Sequence, residues 1–380
     1  MVQLRGITWG HSRGYLPVAA TAQRYMELHP DVTIRWDTRS LKAFGDHPID
    51  TLADEYDMLV LDHPWMGFAD HRRVLLPLEQ HLDVVFLEDQ ARNTVGQSHA
   101  SYHYNGHQYA LAIDAACPIA FYVPHKLEKL NAQIPSTWEQ VLKLAKKGGV
   151  LCAGNSTGIL MLFYMLCNAK TETMFDGQCV AASTVIQESL EEIRALFSFL
   201  PDYAFEKNPI GVYEVLSSGD ESFAYCPCDF GYSNYSRTGY SQALVISADV
   251  VKYKGKMLKT TLGGAGLALS AKANHLETAL DYIKYTACGD IQKSVYVQNG
   301  GQPGHRAAWV SDEPNRITHD FFRNTLKTLD NTWLRPRYNG YLEFQENAAV
   351  MIREWVMNGG SATELIDRLN ALYLKGVAHD

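Results

Sequence analysis

At 380 residues the chain exceeds what one hydrophobic core organises and could bury roughly 75% of its unfolded surface, so two lobes of about 150 to 200 residues are predicted. A formal charge of -8 without any run of Lys and Arg excludes the clustered basic face that phosphate backbones require, and no nucleic-acid partner is expected. No stretch reaches the roughly 20 apolar residues of a bilayer span, the longest candidate, residues 159–167, reading as a core helix.

Residues 4–9 read as the first strand. Met1 stands three residues ahead of it, too close for a charged n-region, an apolar h-region and a cleavage site. The chain is therefore expected in the cytoplasm if Met1 is the native start, and in the periplasm if the gene carries a leader upstream. The loop Gly10-His11-Ser12-Arg13-Gly14 follows, then a helix from about Tyr15 with Pro17 in its first turn, where a missing donor costs nothing. That helix ends at His29-Pro30, and residues 32–36 form the second strand. Residues 57–62 hold Met-Leu-Val-Leu between two acids, uniformly apolar and so central and parallel. Strands alternating with helices give a doubly wound sheet, whose ligands sit off the carboxyl ends of the strands. Those ends carry His11 to Arg13, Arg39-Ser40 and Asp62-His63-Pro64-Trp65.

An Asn105-Gly106 hairpin precedes residues 109–118, an apolar strand interrupted by one carboxylate, Asp114. An acid there is either exposed at a strand end or held by donors. The rhythm turns helical from residue 123, so this strand is the crossover into a second lobe. Ser136-Thr137-Trp138-Glu139 reads as a capping box opening a helix to about Lys147, and helical periods continue through 159–168 and 183–199. The Tyr- and Gly-rich residues 224–236 carry pocket chemistry, and Gly263, Gly264 and Gly266 in strand 262–270 allow a close backbone approach. A capped helix is expected over 274–288, ended by Gly289, and a second capping box, Ser361 and Glu364, opens the closing helix.

Taken together, Arg24-Tyr-Met-Glu-Leu-His-Pro-Asp-Val32, Tyr56-Asp-Met-Leu-Val60, Leu75-Leu-Pro-Leu78, Asn105-Gly106 before Tyr109-Ala-Leu-Ala-Ile-Asp114, Pro135-Ser-Thr-Trp138 and Gly263-Gly-Ala-Gly-Leu-Ala268 run over nearly the whole chain. In order and spacing the sequence resembles the extracellular solute-binding proteins of ABC importers for sugars and polyols, the group that includes maltose-binding protein. The resemblance implies a two-lobed, type II periplasmic-binding-protein-like α/β fold. Each lobe would be a doubly wound, mostly parallel sheet flanked by helices, with a ligand cleft between the lobes and a hinge crossed more than once. The first lobe would comprise 1–111 plus 262–305, the second 112–261 plus 306–380. The departures are the missing leader, Ala112 where such proteins often have Pro, and Cys117.

The function so implied is reception of a small polar ligand, a sugar, polyol or sugar acid, by a monomer that works with ABC importer membrane subunits and needs no cofactor or metal. Candidate ligand-binding residues are Trp9, His11, Ser12, Arg13, Arg39, Asp62, His63, Trp65 and Asp114, then Cys117, Tyr232, Asn234, Tyr235, Gly264, Gln302, Arg335 and Arg337. Aromatic rings supply a flat apolar face, while amides and charges fix hydroxyls. The four arginines leave an acidic ligand open, because guanidiniums grip carboxylates bidentately. The alternative is a leaderless thiaminase-like enzyme on the same scaffold, with Cys117 as nucleophile and Asp114 beside it. A free thiol titrates near 8.5 and needs a cation, base or helix N-terminus to react. Seven cysteines at 117, 152, 167, 179, 226, 228 and 288, without CxxC spacing, suit free thiols. His103 pairs with Gln108 and Tyr104 with His107 in the hairpin, which puts the two histidines on opposite faces and leaves no shared metal site.

Overall fold

Apolar residues alternating with polar ones along 2–9 and 32–39 suit strands with one face against helices. The computed structural model, which describes residues 1–46 and 48–378, forms them as β1 (Val2–Trp9) and β2 (Val32–Arg39). The remaining strands are β3 (Met58–Leu61), the hairpin β4 (His103–Tyr104) and β5 (His107–Gln108), β6 (Ala110–Ala116), β7 (Pro118–Tyr122), β8 (Tyr225–Phe230), β9 (Ile246–Ala248), the hairpin β10 (Lys252–Tyr253) and β11 (Lys256–Met257), and β12 (Gly263–Leu269).

Two compact units share the chain. The first holds Met1–Ala116, Leu262–Ile317 and Arg337–Asn339; the second holds Cys117–Thr261, Thr318–Pro336 and Gly340–Asp380. The chain thus leaves the first unit after Ala116, where the sequence placed the change at 111/112. It leaves again after Ile317 rather than 305, and returns briefly at 337–339.

The first unit is built on a five-stranded sheet in the order β2-β1-β3-β12-β6. Strands β1, β2 and β3 run parallel, β12 antiparallel to both its neighbours. Its core gathers Leu4, Ile34, Met58, Val60, Leu111 and Leu267 from the sheet with Val18, Tyr25, Tyr282 and Tyr296 from the helices. Each such side chain contributes about 1.5–3 kcal/mol when fully buried. The helix α1 (Ser12–Leu28) begins three residues earlier than its periodicity suggests, because His11 caps it: Arg13 N donates to His11 Nδ1 over 3.0 Å. Pro17 consequently falls in the second turn, not the first, and removes one helical hydrogen bond. The helix expected from Asn274 begins at Leu276, since the Asn274 N–H is donated to Asp57 Oδ1 (2.8 Å), and Gly289 opens the next short helix rather than closing this one.

In the second unit the sheet is smaller and antiparallel, order β8-β7-β9, with one parallel bridge from Val150 to Tyr225. The expectation of a mostly parallel sheet thus holds for β1 to β3 but not here, because β7 directly continues β6 and its two partners run back against it. The helix Ser156–Lys170 is buried from Ile159 through Cys167 on every face, between the helices Ser183–Phe197 and Tyr341–Asn358. Among the described residues no helix is long and apolar enough to cross a membrane. All seven cysteines are free thiols.

Candidate functional site at the strand ends of the first unit

The register of β1 against β2 pairs Ile7 with Asp37, Thr8 with Thr38 and Trp9 with Arg39, so the loop after β1 lies beside the last residues of β2. Gly10 N donates to Arg39 O over 2.7 Å and fixes that neighbourhood. The result is a depression of about 540 Å³ lined by Gly10, His11, Ser12, Tyr15, Leu16, Trp36, Asp37 and Thr38. Of these only His11 and Ser12 stand among the expected site residues. Asp37 and Thr38 escape a reading that ends the strand at 36, Trp36 is missed as that strand's last residue, and Tyr15 and Leu16 escape a reading that treats the start of α1 as scaffold. The signal that could have found them is the sequence distance: one turn of helix beyond Ser12, and three residues of strand before Arg39.

His11 presents a neutral ring. Burial, and then the Arg13 charge, push its pKa down to about 4, consistent with Nδ1 accepting from the backbone. Tyr15 and Leu16 are exposed at 36% and 47%, so the rim of the depression offers apolar surface beside hydrogen-bonding groups. Two further indoles were expected at the site, Trp9 at the end of β1 and Trp65 after β3. Both are buried, and among the described residues neither Nε1 donor has an acceptor. Trp9 lies over Gly14, where a Cβ would come within 2.4 Å of the ring, and packs on Phe44 with ring centroids 4.9 Å apart.

The arginines are engaged within the protein. Arg13 meets Asp114 in a buried bidentate pair, Nε donating to Oδ2 over 2.9 Å and an Nη to Oδ1. Burial lifts the Asp114 carboxyl above its ordinary value, and the Arg13 charge and hydrogen bonds work against that. Asp114 is thus an acid held by donors, and its oxygens already face a guanidinium. Arg39 donates to Ala43 O (3.2 Å) and Val60 O (3.1 Å) and lies 5.3 Å over the Phe44 ring, with burial lowering its pKa to about 10. Arg337 donates to the carbonyls of Ala100, Ser101 and His103 at 3.0, 2.9 and 2.7 Å, closing the C-terminus of the short helix Ser98–Ser101. In the second unit Arg335 donates to Gln345 Oε1 at 2.9 Å.

Asp62 caps the turn His63–Trp65, Oδ1 accepting from His63 N at 2.8 Å and lying 3.0 Å from His63 Nδ1, and the His63 ring is fully buried. The close approach that Gly264 permits is to a strand. Its φ is +113° and a Cβ there would stand 2.3 Å from the Asp114 carbonyl oxygen, at the irregularity in the β12–β6 register. Gln302 is likewise structural: its Nε2 donates to Ala115 O (3.0 Å) while its carbonyl accepts from Ala115 N (2.9 Å). Gly264 and Gln302 therefore act on β6 and not at the surface depression.

The remaining expected residues lie in the second unit. Tyr232, Asn234 and Tyr235 are all buried in and around the 3-10 turn Ser233–Ser236. Tyr235 stacks on Tyr213 at 4.6 Å and donates its hydroxyl to Glu214, and Tyr213 stacks in turn on Phe121 at 3.8 Å. Cys117 is buried where the chain enters the second unit, its carbonyl accepting from Gly231 N at 3.1 Å. The neighbouring thiols of Cys152, Cys226 and Cys228 are pushed up by burial and by the Asp229 carboxylate, the opposite of the cationic setting that activates a thiol. The hairpin register pairs His103 with Gln108 and Tyr104 with His107, as read from the sequence, and His107 Nδ1 lies 2.7 Å from Glu79. Among the described residues no group of three His, Cys, Asp or Glu could hold a metal ion.

No family model and no curated protein sequence matches the chain. Solved structures do. The maltose-bound MalE3 of T. maritima superposes with a TM-score of 0.84 at 16% identity, covering 98% of this chain and 99% of its own. An ABC transporter solute-binding protein of Agrobacterium radiobacter in complex with ribitol gives 0.83 at 18% identity, covering 98% of each chain. One from Agrobacterium vitis with bound D-mannitol gives 0.79 at 13% identity, covering 100% of this chain and 99% of its own. The chain has the two-lobed α/β fold of these solute-binding proteins, over its full length.

Proposed function

We propose that the protein is the solute receptor of an ABC-type importer and that its ligand is a small, uncharged, polyhydroxylated molecule, a sugar or polyol. The fold supports the first half, since structural neighbours carrying maltose, ribitol and D-mannitol match it end to end. The observation that carries the second half is the engagement of Arg13, Arg39, Arg335 and Arg337 by protein acceptors. A sugar acid would compete with acceptors these guanidiniums already hold, in hydrogen bonds to charged groups worth about 1.5–3 kcal/mol each. A neutral polyol asks only for hydroxyl partners and an apolar face, which His11, Ser12, Asp37, Thr38, Tyr15 and Leu16 provide. Membrane subunits of an importer are the partners this reading implies, and an extracytoplasmic location goes with it. The buried setting of Cys117 favours binding over thiol chemistry.

Thermal unfolding with maltose, ribitol and D-mannitol, each beside its corresponding acid, tests the reading. A ligand at a hundred times its dissociation constant stabilises by about 2.7 kcal/mol, a readily measured rise in Tm. At least one neutral compound is expected to give it, with its acid giving less. A panel in which no sugar or polyol shifts the transition, or in which acids shift it more, contradicts the proposal.

A further inference from the structure

Asp114 stands where two segments already fix β6 without help from Arg13. Gly264 of β12 lies against its carbonyl, Pro303 forms an isolated bridge with it, and Gln302 bonds both sides of Ala115. The strand leaves the first unit two residues later. What Arg13 adds is an attachment for the start of α1. The loop before it is also held along the backbone, Gly10 N to Arg39 O, His11 N to Trp9 O, and Gly14 N and Tyr15 N to His11 O, and by two short-range side-chain bonds, Arg13 N to His11 Nδ1 (3.0 Å) and Thr8 Oγ1 to Gly14 O (3.3 Å), all of which tie it to β1, β2 or itself and none to β6.

Stability does not explain a charged attachment here. Arg13 is 5% exposed and Asp114 1%, and a buried ion pair is often no better for stability than apolar residues of the same volume. A planar guanidinium on a carboxylate does fix distance and rotation together, which apolar contact cannot. We propose that Arg13 and Asp114 are positioning residues for ligand binding: their pair pins the loop at residues 10–12 to β6 and sets the pose in which His11 and Ser12 meet the ligand, neither member touching it. The role given to His11 and Ser12 rests on the sugar or polyol reading; the pinning of the loop does not.

The deciding variant is the apolar double substitution Arg13→Met/Asp114→Leu, followed by amide hydrogen exchange without ligand and by affinity for whichever of maltose, ribitol and D-mannitol the parent binds. The melting transition is expected to stay cooperative and close to the parent's. Exchange at Gly10, His11, Arg13, Gly14 and Tyr15 should rise at least about tenfold while the second half of α1 is unchanged, and affinity should fall at least about tenfold. A scaffold role alone would be satisfied by the apolar pair and would move neither readout. Arg13→Lys guards against a double variant that does not fold, since it keeps the charge and loses the fork; the same local rise in exchange is expected. Unchanged exchange at these amides in a folded variant overturns the proposal. A parent that binds none of the three sugars and polyols refutes the ligand reading instead, and the exchange result then decides the pinning by itself.

Discussion

Charge at single residues is where the structure changes the functional reading most. Four arginines suggested a grip for a carboxylate, and each proves to hold a protein acceptor in buried or part-buried surroundings, a carboxylate for Arg13, an amide for Arg335 and backbone carbonyls for Arg39 and Arg337. One-dimensional sequence shows the guanidinium but not its partner: Asp114 is 101 residues from Arg13, and Ala100 is 237 from Arg337. By contrast the need of Gly264 for a close backbone neighbour was legible, because only a residue without Cβ tolerates it. Gly264→Ala would force an L side chain to φ +113° with its Cβ 2.3 Å from a carbonyl oxygen, and is expected to cost about 1–3 kcal/mol or more in urea unfolding; an unchanged midpoint would contradict the close β12–β6 approach. Asp229 gives a pH signature. Burial raises its carboxyl from 3.8 to about 7, with Ala153 N (2.9 Å) and Cys226 Sγ (3.3 Å) as its partners. A raised folded pKa means a contribution present below the unfolded value and lost as pH climbs through the folded one. The parent should therefore lose stability relative to Asp229→Asn between pH 4 and pH 7, by up to about 1.4 kcal/mol per pH unit, and track it above. Parallel profiles over that range would show that Asp229 is charged in the fold.

Elements were read well where a short sequence carries its own geometry. Asn105 and Gly106 take φ of +47° and +83°, the left-handed pair a two-residue hairpin requires, and Ser361 caps the closing helix through Glu364 N at 3.2 Å. The box at 136–139 differs in its partner: Thr137 caps, and it is Gln140 whose Oε1 reaches back to Ser136 N at 2.7 Å. Caps supplied from elsewhere in the chain were invisible. Lys126 is one. Its buried ammonium donates to Leu216 O (2.6 Å), Ser218 O (3.0 Å) and Asp220 O (2.5 Å), closing the helix Pro209–Ser217 from about 90 residues away in sequence. Lys126→Met keeps the stem and removes the donor, leaving carbonyls without their charged partner; a loss of about 2 kcal/mol or more in unfolding free energy is expected. A variant as stable as the parent would mean that water serves those carbonyls equally well.

For the molecule as a whole, the order of strands and helices carried the fold because local periods, turns and caps agreed along its length, while the antiparallel sheet of the second unit depended on pairings between residues about 100 or more apart, Phe121 with Cys226 and Tyr122 with Ile246. The candidate site was less legible, since the sequence does not show which polar groups remain available after folding. As proposed, the ligand is an uncharged polyhydroxylated solute. Titration calorimetry of the tightest-binding sugar or polyol, repeated from about 50 mM to about 500 mM salt, tests it most directly, because an interaction without a charged ligand has no long-range Coulomb attraction to screen. A stoichiometry of one, a dissociation constant unchanged across that range within about twofold, and ligand recovered intact are expected. An affinity that falls steeply with salt, a sugar acid that binds more tightly than its neutral parent, or ligand consumed in the cell would contradict the proposal.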